Sequence, residues 1–496
     1  MFESKDYGNR AAVVGTGRSL YVASIFIMNV GLARSMGTET FGSFQQVFMF
    51  SALFIIVTLG IPETMYFFLP RLTEEERPRF LGQTLIILAA CSIFIALVFW
   101  FGASYFAELQ HNPAIEPQLR IFGIYGAFLI ASAFIDPVFI TFKRLHYLFT
   151  LSVLHALFFF GLTLWHYFGE STTYMLFEAM AVFGLCKYIL SLVLLFRMHS
   201  ETGRIHLFRG KSMILLQLSF SLPVALSNAI DIISRWLDKF VVSIFFGTQV
   251  LGVYYVGAIE IPFIAVVVSS IYSVLSPVLN QLHHQDDRGG FVKLVAKTFK
   301  LSSKIIWPIF IYLYVFADHI IPFVFKSEFR GAVEPFRIYL LLMPLRIASY
   351  GGIVLALGRS RTVFWSAFAS LSVNFILNIV LALKMGFIGP AVATVVSTVF
   401  HISVLLYIIV KELNVMLDQL IPFKFLFSVG ITCVLAVIFA FGFTVGFVDD
   451  GRTILFSLPI FFGAYLFFGS WAGFIKISDI RDFWRGIFHG TKSDSE

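Results

Sequence analysis

The sequence predicts an all-α integral membrane protein of about fourteen transmembrane helices: two pseudo-symmetric six-helix lobes around a central cavity, followed by two additional C-terminal helices. Three observations carry that expectation. Of 496 residues, 58% are hydrophobic and 13% charged, against roughly 25% charged in an ordinary soluble domain. Apolar runs of about 20 residues, enough to cross roughly 30 Å of hydrocarbon, recur along the whole chain and are separated by short polar joints. A glycine motif also recurs at an offset of 210 residues.

In chain order the first six spans fall at 11–35, 41–70, 80–106, 119–141, 146–168 and 173–197. The next six fall at 214–246, 251–282, 299–322, 335–357, 361–383 and 387–410, and the last two at 421–447 and 453–475. This divides the chain into an N-terminal lobe (1–200), a cytoplasmic linker (201–212), a second lobe (213–412), the two extra helices (413–476) and a cytoplasmic tail (477–496). Ten mostly polar residues precede the first span with no small-residue cleavage site after it, so the first helix is expected to stay as an anchor. Cys91, Cys186 and Cys433 all lie inside apolar spans, where a thiol behaves as a small hydrophobe.

The net charge of +7 is a topology signal rather than a nucleic-acid footprint. Of the 36 Lys and Arg residues, 24 fall on the side of the N-terminus and seven on the opposite side. The other five, Arg18, Lys187, Arg235, Lys239 and Arg346, sit at membrane depth. Cytoplasmic loops carry the Lys/Arg excess, so both termini are expected to face the cytoplasm.

The repeat is seen in Gly37-Thr38-x-x-x-Gly42 between spans one and two, matched by Gly247-Thr248-x-x-x-Gly252 between spans seven and eight. A second echo is Glu116-Pro117-x-x-Arg120-Ile121, opening span four, against Glu334-Pro335-x-Arg337-Ile338, opening span ten. Six is even, so the duplicated lobes share one orientation, the parallel-repeat arrangement of several transporter folds.

The same offset carries span seven on toward Phe246 and places Asp231, Arg235, Asp238 and Lys239 inside it, at about 0°, 40°, 340° and 80° on one helix face. Charges at a helix centre cost about 2.5–3.5 kcal/mol each against lipid, so four cannot face it. Two readings remain open. The charges pair structurally, Asp231 with Arg235 and Asp238 with Arg235, or they line a water-filled cavity. Arg18, Tyr21 and Asn29 of span one align with Asn228, Asp231 and Lys239, a partial match because Arg235 aligns with Ile25. Glu63, Asp136, Lys187, Glu260 and Arg346 are further intramembrane charges, while His155, Glu178 and His401 are expected in packing or interface roles. Gly446-x-x-x-x-Gly451-Arg452-Thr453 imitates a phosphate loop but follows no strand. No zinc-site spacing or nucleophilic triad is recognisable, and the short outer joints leave little room for a glycosyltransferase or polymerase domain. The reading is therefore a non-enzyme without cofactor or metal.

Three segments resemble the polysaccharide-repeat-unit (O-antigen type) flippases of the multidrug/oligosaccharidyl-lipid/polysaccharide exporter superfamily. They are Leu32-Ala33-Arg34-Ser35-Met36-Gly37 through Gly42; Leu237-Asp238-Lys239 through Gly247, Gly252 and Tyr254; and Asn374 through Asn378 with Gly386-Phe387-Ile388-Gly389-Pro390-Ala391-Val392-Ala393-Thr394. The resemblance implies a transporter of the bacterial inner membrane that carries undecaprenyl-diphosphate-linked oligosaccharide from the inner to the outer leaflet by alternating access. Membrane lipids and other polysaccharide assembly proteins would be its partners. Flipping draws a sugar diphosphate through hydrocarbon, so Arg18, Arg235, Lys239 and Arg346 are the expected head-group cations, arginine by its fork of donors. Asp231, Asp238, Glu260 and Asp136 would tune those cations or couple transport to a proton or sodium gradient. The alternatives within the superfamily are a peptidoglycan lipid-precursor flippase and a drug/cation antiporter, and outside it a membrane glycosyltransferase or polysaccharide polymerase.

Overall fold

The computed structural model describes residues 4–169, 171–198, 202–203, 205, 213–259, 261–444 and 450–475. Among these residues every regular element is helical, as expected where backbone groups must find their hydrogen bonds within the segment that crosses the membrane. Ten helices among them are long and apolar enough to span a bilayer, or up to eleven if a bent pair counts as one span. The expected count of fourteen is not reached by that measure. Two of the ten, Ile214–Gly257 and Ser360–Leu413, are 44 and 54 residues long, and each passes a glycine with positive φ where the sequence reading separates two spans: Gly247 (79°) and Gly386 (67°). The expected tail at 477–496 and most of the linker at 201–212 lie outside the described residues.

The chain divides into two compact units, residues 1–256 with 367–397, and residues 257–366 with 398–496. In the first, Ser4–Ser35 packs along Leu145–Phe168, and Glu116–Ala131 is held between Arg77–Leu109 and Thr173–Arg197. Its core is a cluster of aromatic rings, with Phe44 stacked on Phe177 at 5.0 Å and Phe54 tilted on Phe122 at 4.9 Å. Span two is broken. Its helix Ser51–Val57 ends before Leu59 (φ 52°) and Gly60 (φ 66°), and Ile61–Phe68 starts afresh. The backbone needs the left-handed region twice in succession there, which Gly60 adopts at no steric cost.

In the second unit the helix Phe423–Thr444 packs on Asp450–Trp471 and on Arg288–Val315. Tyr312, Phe316, Cys433, Phe461 and Tyr465 form a buried cluster between them. Tyr465 donates to the carbonyl of Lys304 at 2.9 Å, and the Tyr312 and Ser457 hydroxyls are 3.0 Å apart. The two C-terminal helices are thus fixed to this unit by both apolar burial and hydrogen bonds. Arg288–Val315 then bends by 81° into Ala317–Phe325.

Candidate functional site

Within the first unit the helices enclose a cavity of about 640 Å³. Its lining is mostly apolar, but polar groups reach it from separate segments, among them Tyr21, Glu63, Asp136, Lys187 and Asn228. Local sequence explains two of them. The break at Leu59–Gly60 restarts the helix with Pro62 and Glu63 in its first turn, where proline lacks no needed donor and an acid meets the positive end of the helix dipole. Asp136 likewise occupies the first turn of Ile135–Thr141. The Asn228 amide donates to Glu63 Oε1 at 3.2 Å, joining the broken span to Ile214–Gly257. Asp136, Lys187 and Tyr21 also line an adjoining cavity of about 230 Å³ with His155. The His155 ring is buried edge-on against Tyr21 at 4.7 Å, the packing role expected for it.

The stripe on Ile214–Gly257 is present, and the helix does continue through Phe246 as the repeat implies. Its four charges, however, meet different surroundings. Arg235 lies 2.7 Å from Asp231, with half or more of both side chains exposed. Neither residue lines the 640 Å³ cavity. Asp238 and Lys239 are buried: Asp238 accepts a hydrogen bond from Tyr254 at 2.8 Å and lies 3.5 Å from the Lys239 ammonium, which also donates to the carbonyl of Arg235 at 3.2 Å. Span one repeats the division, since Tyr21 faces the cavity whereas Asn29 is buried and accepts from the Gln45 amide at 2.6 Å. The aligned residues Asn29 and Lys239 therefore share one fate, burial. The side chains of Arg18 and Glu260 lie outside the described residues.

The sequence reading expects a chamber with acids beside its cations, and among the described residues the larger cavity carries both signs, from a set that shares only Asp136 with the expected one. Its described lining carries one cation, Lys187, and two acids, Glu63 and Asp136. Of the expected cations, Arg346 lines a cavity of about 370 Å³ in the second unit, together with Tyr272, Tyr339 and Met343. Pro344 lies beside Arg346, and the helix Leu342–Leu345 ends there. Lys187 and Glu63 were visible only as isolated intramembrane charges, because no periodic pattern ties residues on separate spans together.

The duplicated glycine motifs meet each other. A methyl group on Gly42 would lie 1.9 Å from the Thr248 carbonyl oxygen, and one on Gly252 would lie 2.1 Å from the Thr38 carbonyl oxygen. Each motif supplies the backbone that the other's glycine admits. Beside them runs a buried amide network that sequence reasoning missed. Gln46 donates to Ser243 at 2.9 Å and to the carbonyl of Gln110 at 3.1 Å, while accepting from Asn112 at 2.7 Å. In the third resemblance segment, Asn374 is buried and donates to Ser397 at 2.8 Å, tying Ser360–Met385 to Gly389–Leu413. The signal for these contacts is an amide inside an apolar span, which must find partners there.

An all-helical multi-pass membrane protein with a polar cavity among its spans belongs, as a class, with the membrane transporter folds. The chain aligns over 96% of its length with 99% of a solved structure of the lipid II flippase MurJ in an inward closed conformation, at a TM-score of 0.73 and 16% identity. It aligns over 80% of its length with 95% of an inward-facing multidrug resistance MATE family transporter of the MOP superfamily, at 0.64 and 13%. The family model described as "Polysaccharide biosynthesis protein" matches residues 32–334, and the chain belongs to that family. A probable low-salt glycan biosynthesis flippase, Agl15 of Haloferax volcanii, is 25% identical over 244 residues, which is 47% of this chain and about half, 48%, of that relative. The resemblance drawn from Gly37 to Gly42, from Leu237 to Tyr254 and from Asn374 to Thr394 is thus borne out at the level of family and fold.

Proposed function

We propose that this protein is a lipid-linked oligosaccharide flippase, moving undecaprenyl-diphosphate-linked polysaccharide repeat units from the inner to the outer leaflet of the bacterial inner membrane by alternating access. The observation that carries the reading is the 640 Å³ cavity with Lys187, Asp136, Glu63 and Asn228 on its wall, in a chain of the polysaccharide biosynthesis family. An ionised or strongly polar head group cannot cross hydrocarbon unless protein groups replace its hydration. The flippase name of the Haloferax relative supports the same reading.

In this mechanism the isoprenoid tail stays in lipid while the sugar diphosphate enters the protein. Lys187 offers an ammonium within the larger cavity and Arg346 a guanidinium fork within the smaller. Arg235 lies on an exposed face near the middle of its helix, where a charge facing lipid is costly. That face is therefore a wetted one, and Arg235 serves the head group from it. Asp136, beside Lys187 on both cavity walls, is the group through which a proton or sodium gradient would act. The protein transports without making or breaking a covalent bond. The Lys/Arg asymmetry supports termini on the cytoplasmic side, and the recurrence at 210 residues supports six-helix lobes at 1–200 and 213–412.

The test is complementation of a flippase-deficient strain, with accessibility of the lipid-linked glycan measured on each leaflet. Depletion should leave the glycan-lipid on the inner leaflet, and Lys187→Gln should do the same with the protein still inserted. Accumulation of a peptidoglycan precursor would move the substrate to the alternative flippase. Unchanged leaflet distribution would overturn the transport reading.

A further inference from the structure

The helix Arg288–Val315 begins with five basic residues, Arg288, Lys293, Lys297, Lys300 and Lys304, and contains no acid. At about 100° per residue the four lysines fall within one arc of about 60°. A positive excess suffices to orient a loop, but orientation does not require the charges to share a face. Like charges at i and i+4, as in Lys293 with Lys297 and Lys300 with Lys304, oppose helix formation. Four ammoniums on one arc make that face attractive to an anion.

The surroundings of that face supply a place for one. Lys297, Lys300 and Lys304 line a groove of about 460 Å³ whose other walls include Leu301, Phe425 and Phe474, with no acid among the described lining residues. Lys300 Nζ lies 5.8 Å from the centroid of the Phe425 ring, which packs against Phe474 at 5.7 Å. Three segments thus close on it: the lysine helix, the start of Phe423–Thr444 and the turn after Asp450–Trp471. Past Lys304 the helix turns apolar, Ile305-Ile306-Trp307-Pro308-Ile309-Phe310. The groove therefore sits at the level where membrane-spanning helices pass from head-group region to hydrocarbon.

We propose that this groove binds the phosphate head group of an anionic phospholipid. The lysine ammoniums hold the phosphate, while Leu301, Phe425 and Phe474 receive the first carbons of the acyl chains. Basic pockets between spans recognise anionic lipids by this combination of point charges and an apolar floor. The inference uses none of the residues assigned to the transport cavity, so it stands or falls separately from the flippase reading.

The experiment is native mass spectrometry of the full chain, purified in detergent, with cardiolipin or phosphatidylcholine added at equal concentration. The wild type should retain cardiolipin at least about tenfold over phosphatidylcholine, a ratio of roughly 1.4 kcal/mol. The triple variant Lys297→Gln, Lys300→Gln, Lys304→Gln should lose most of that preference. A control, Lys143→Gln, Arg361→Gln, Lys411→Gln, removes the same charge elsewhere and should keep it. Equal loss in both variants would overturn the site in favour of bulk charge, and displacement of cardiolipin by millimolar inorganic phosphate would reassign the groove to a free anion. If the triple variant does not elute as a folded species, Lys300→Gln alone carries the test, and an unchanged preference in it and in Lys297→Gln overturns the proposal.

Discussion

Two acid–base pairs lie within three turns of each other on Ile214–Gly257 and have opposite environments. Asp231 and Arg235 touch at 2.7 Å on an exposed face. Asp238 and Lys239 are buried, with Tyr254 donating to Asp238. The exposed pair is worth little to the fold, because a screened ion pair gives back most of its Coulomb energy in side-chain entropy. The buried pair is costly to break, because removal of one member leaves the other charge in a low-dielectric site. Helix position is nearly the same; what the neighbouring helices cover is not. The comparison teaches that the charges of a single stripe divide by what covers them: one pair is buried and tied across Gly247 to Tyr254, and the other stays exposed.

The comparison can be broken most directly at its buried end. Asp238→Ala should cost about 3–5 kcal/mol, seen as a large fall in melting temperature in detergent; a shift no greater than that of Asp231→Ala would erase the distinction. Close by, Gly252→Ala drives a methyl group against the Thr38 carbonyl, 2.1 Å away. It should cost about 1–3 kcal/mol by overpacking, and Gly42→Ala should match it because the contact is reciprocal. Unequal losses would show that the two motifs do not oppose each other symmetrically.

Smaller effects sharpen the exposed end. Asn228→Ala, which removes the hydrogen bond to Glu63, should cost about 1 kcal/mol and can be read from the same melting curves. Arg235→Ala should change stability by only about 0.2–1 kcal/mol. Its transport, by contrast, should fall about tenfold or more if the guanidinium makes a charge-assisted hydrogen bond to the head group, a bond of about 1.5–3 kcal/mol. Leaflet accessibility of the lipid-linked glycan checks it. Unchanged flipping would return Arg235 to a purely local pair with Asp231.

Much of the architecture was legible. Hydropathy located the apolar helices, of which ten or eleven rather than fourteen qualify as spans among the described residues, and the 210-residue recurrence carried span seven past Trp236 to Phe246, where the helix is indeed continuous. Periodicity could not show that Thr38–Arg71 breaks at Leu59–Gly60, because an apolar run of sufficient length reads as unbroken whatever its dihedral angles. Nor could it separate Asn29 from Tyr21. Both lie on one helix face, yet Gln45 of the next helix covers the first and a cavity opens beside the second. The second echo is instructive too. Arg120 pairs with Glu116 in its own motif, whereas Arg337 pairs with Asp318 and donates to the Tyr314 carbonyl at 3.1 Å. The motif was duplicated and its partner was not.

By itself the sequence determined the class of molecule, the approximate spans, the paired glycine motifs and the list of charges that hydrocarbon will not tolerate. Each of these follows from transfer free energies and helical periodicity, which act within a segment. Only the tertiary structure decided which charges the fold buries, which it leaves exposed, and which ones, Lys187 with Asp136 and Glu63 near Asn228, it gathers on a cavity wall from separate spans. Burial and pairing depend on the residues of neighbouring helices, and a single helix wheel contains no record of its neighbours.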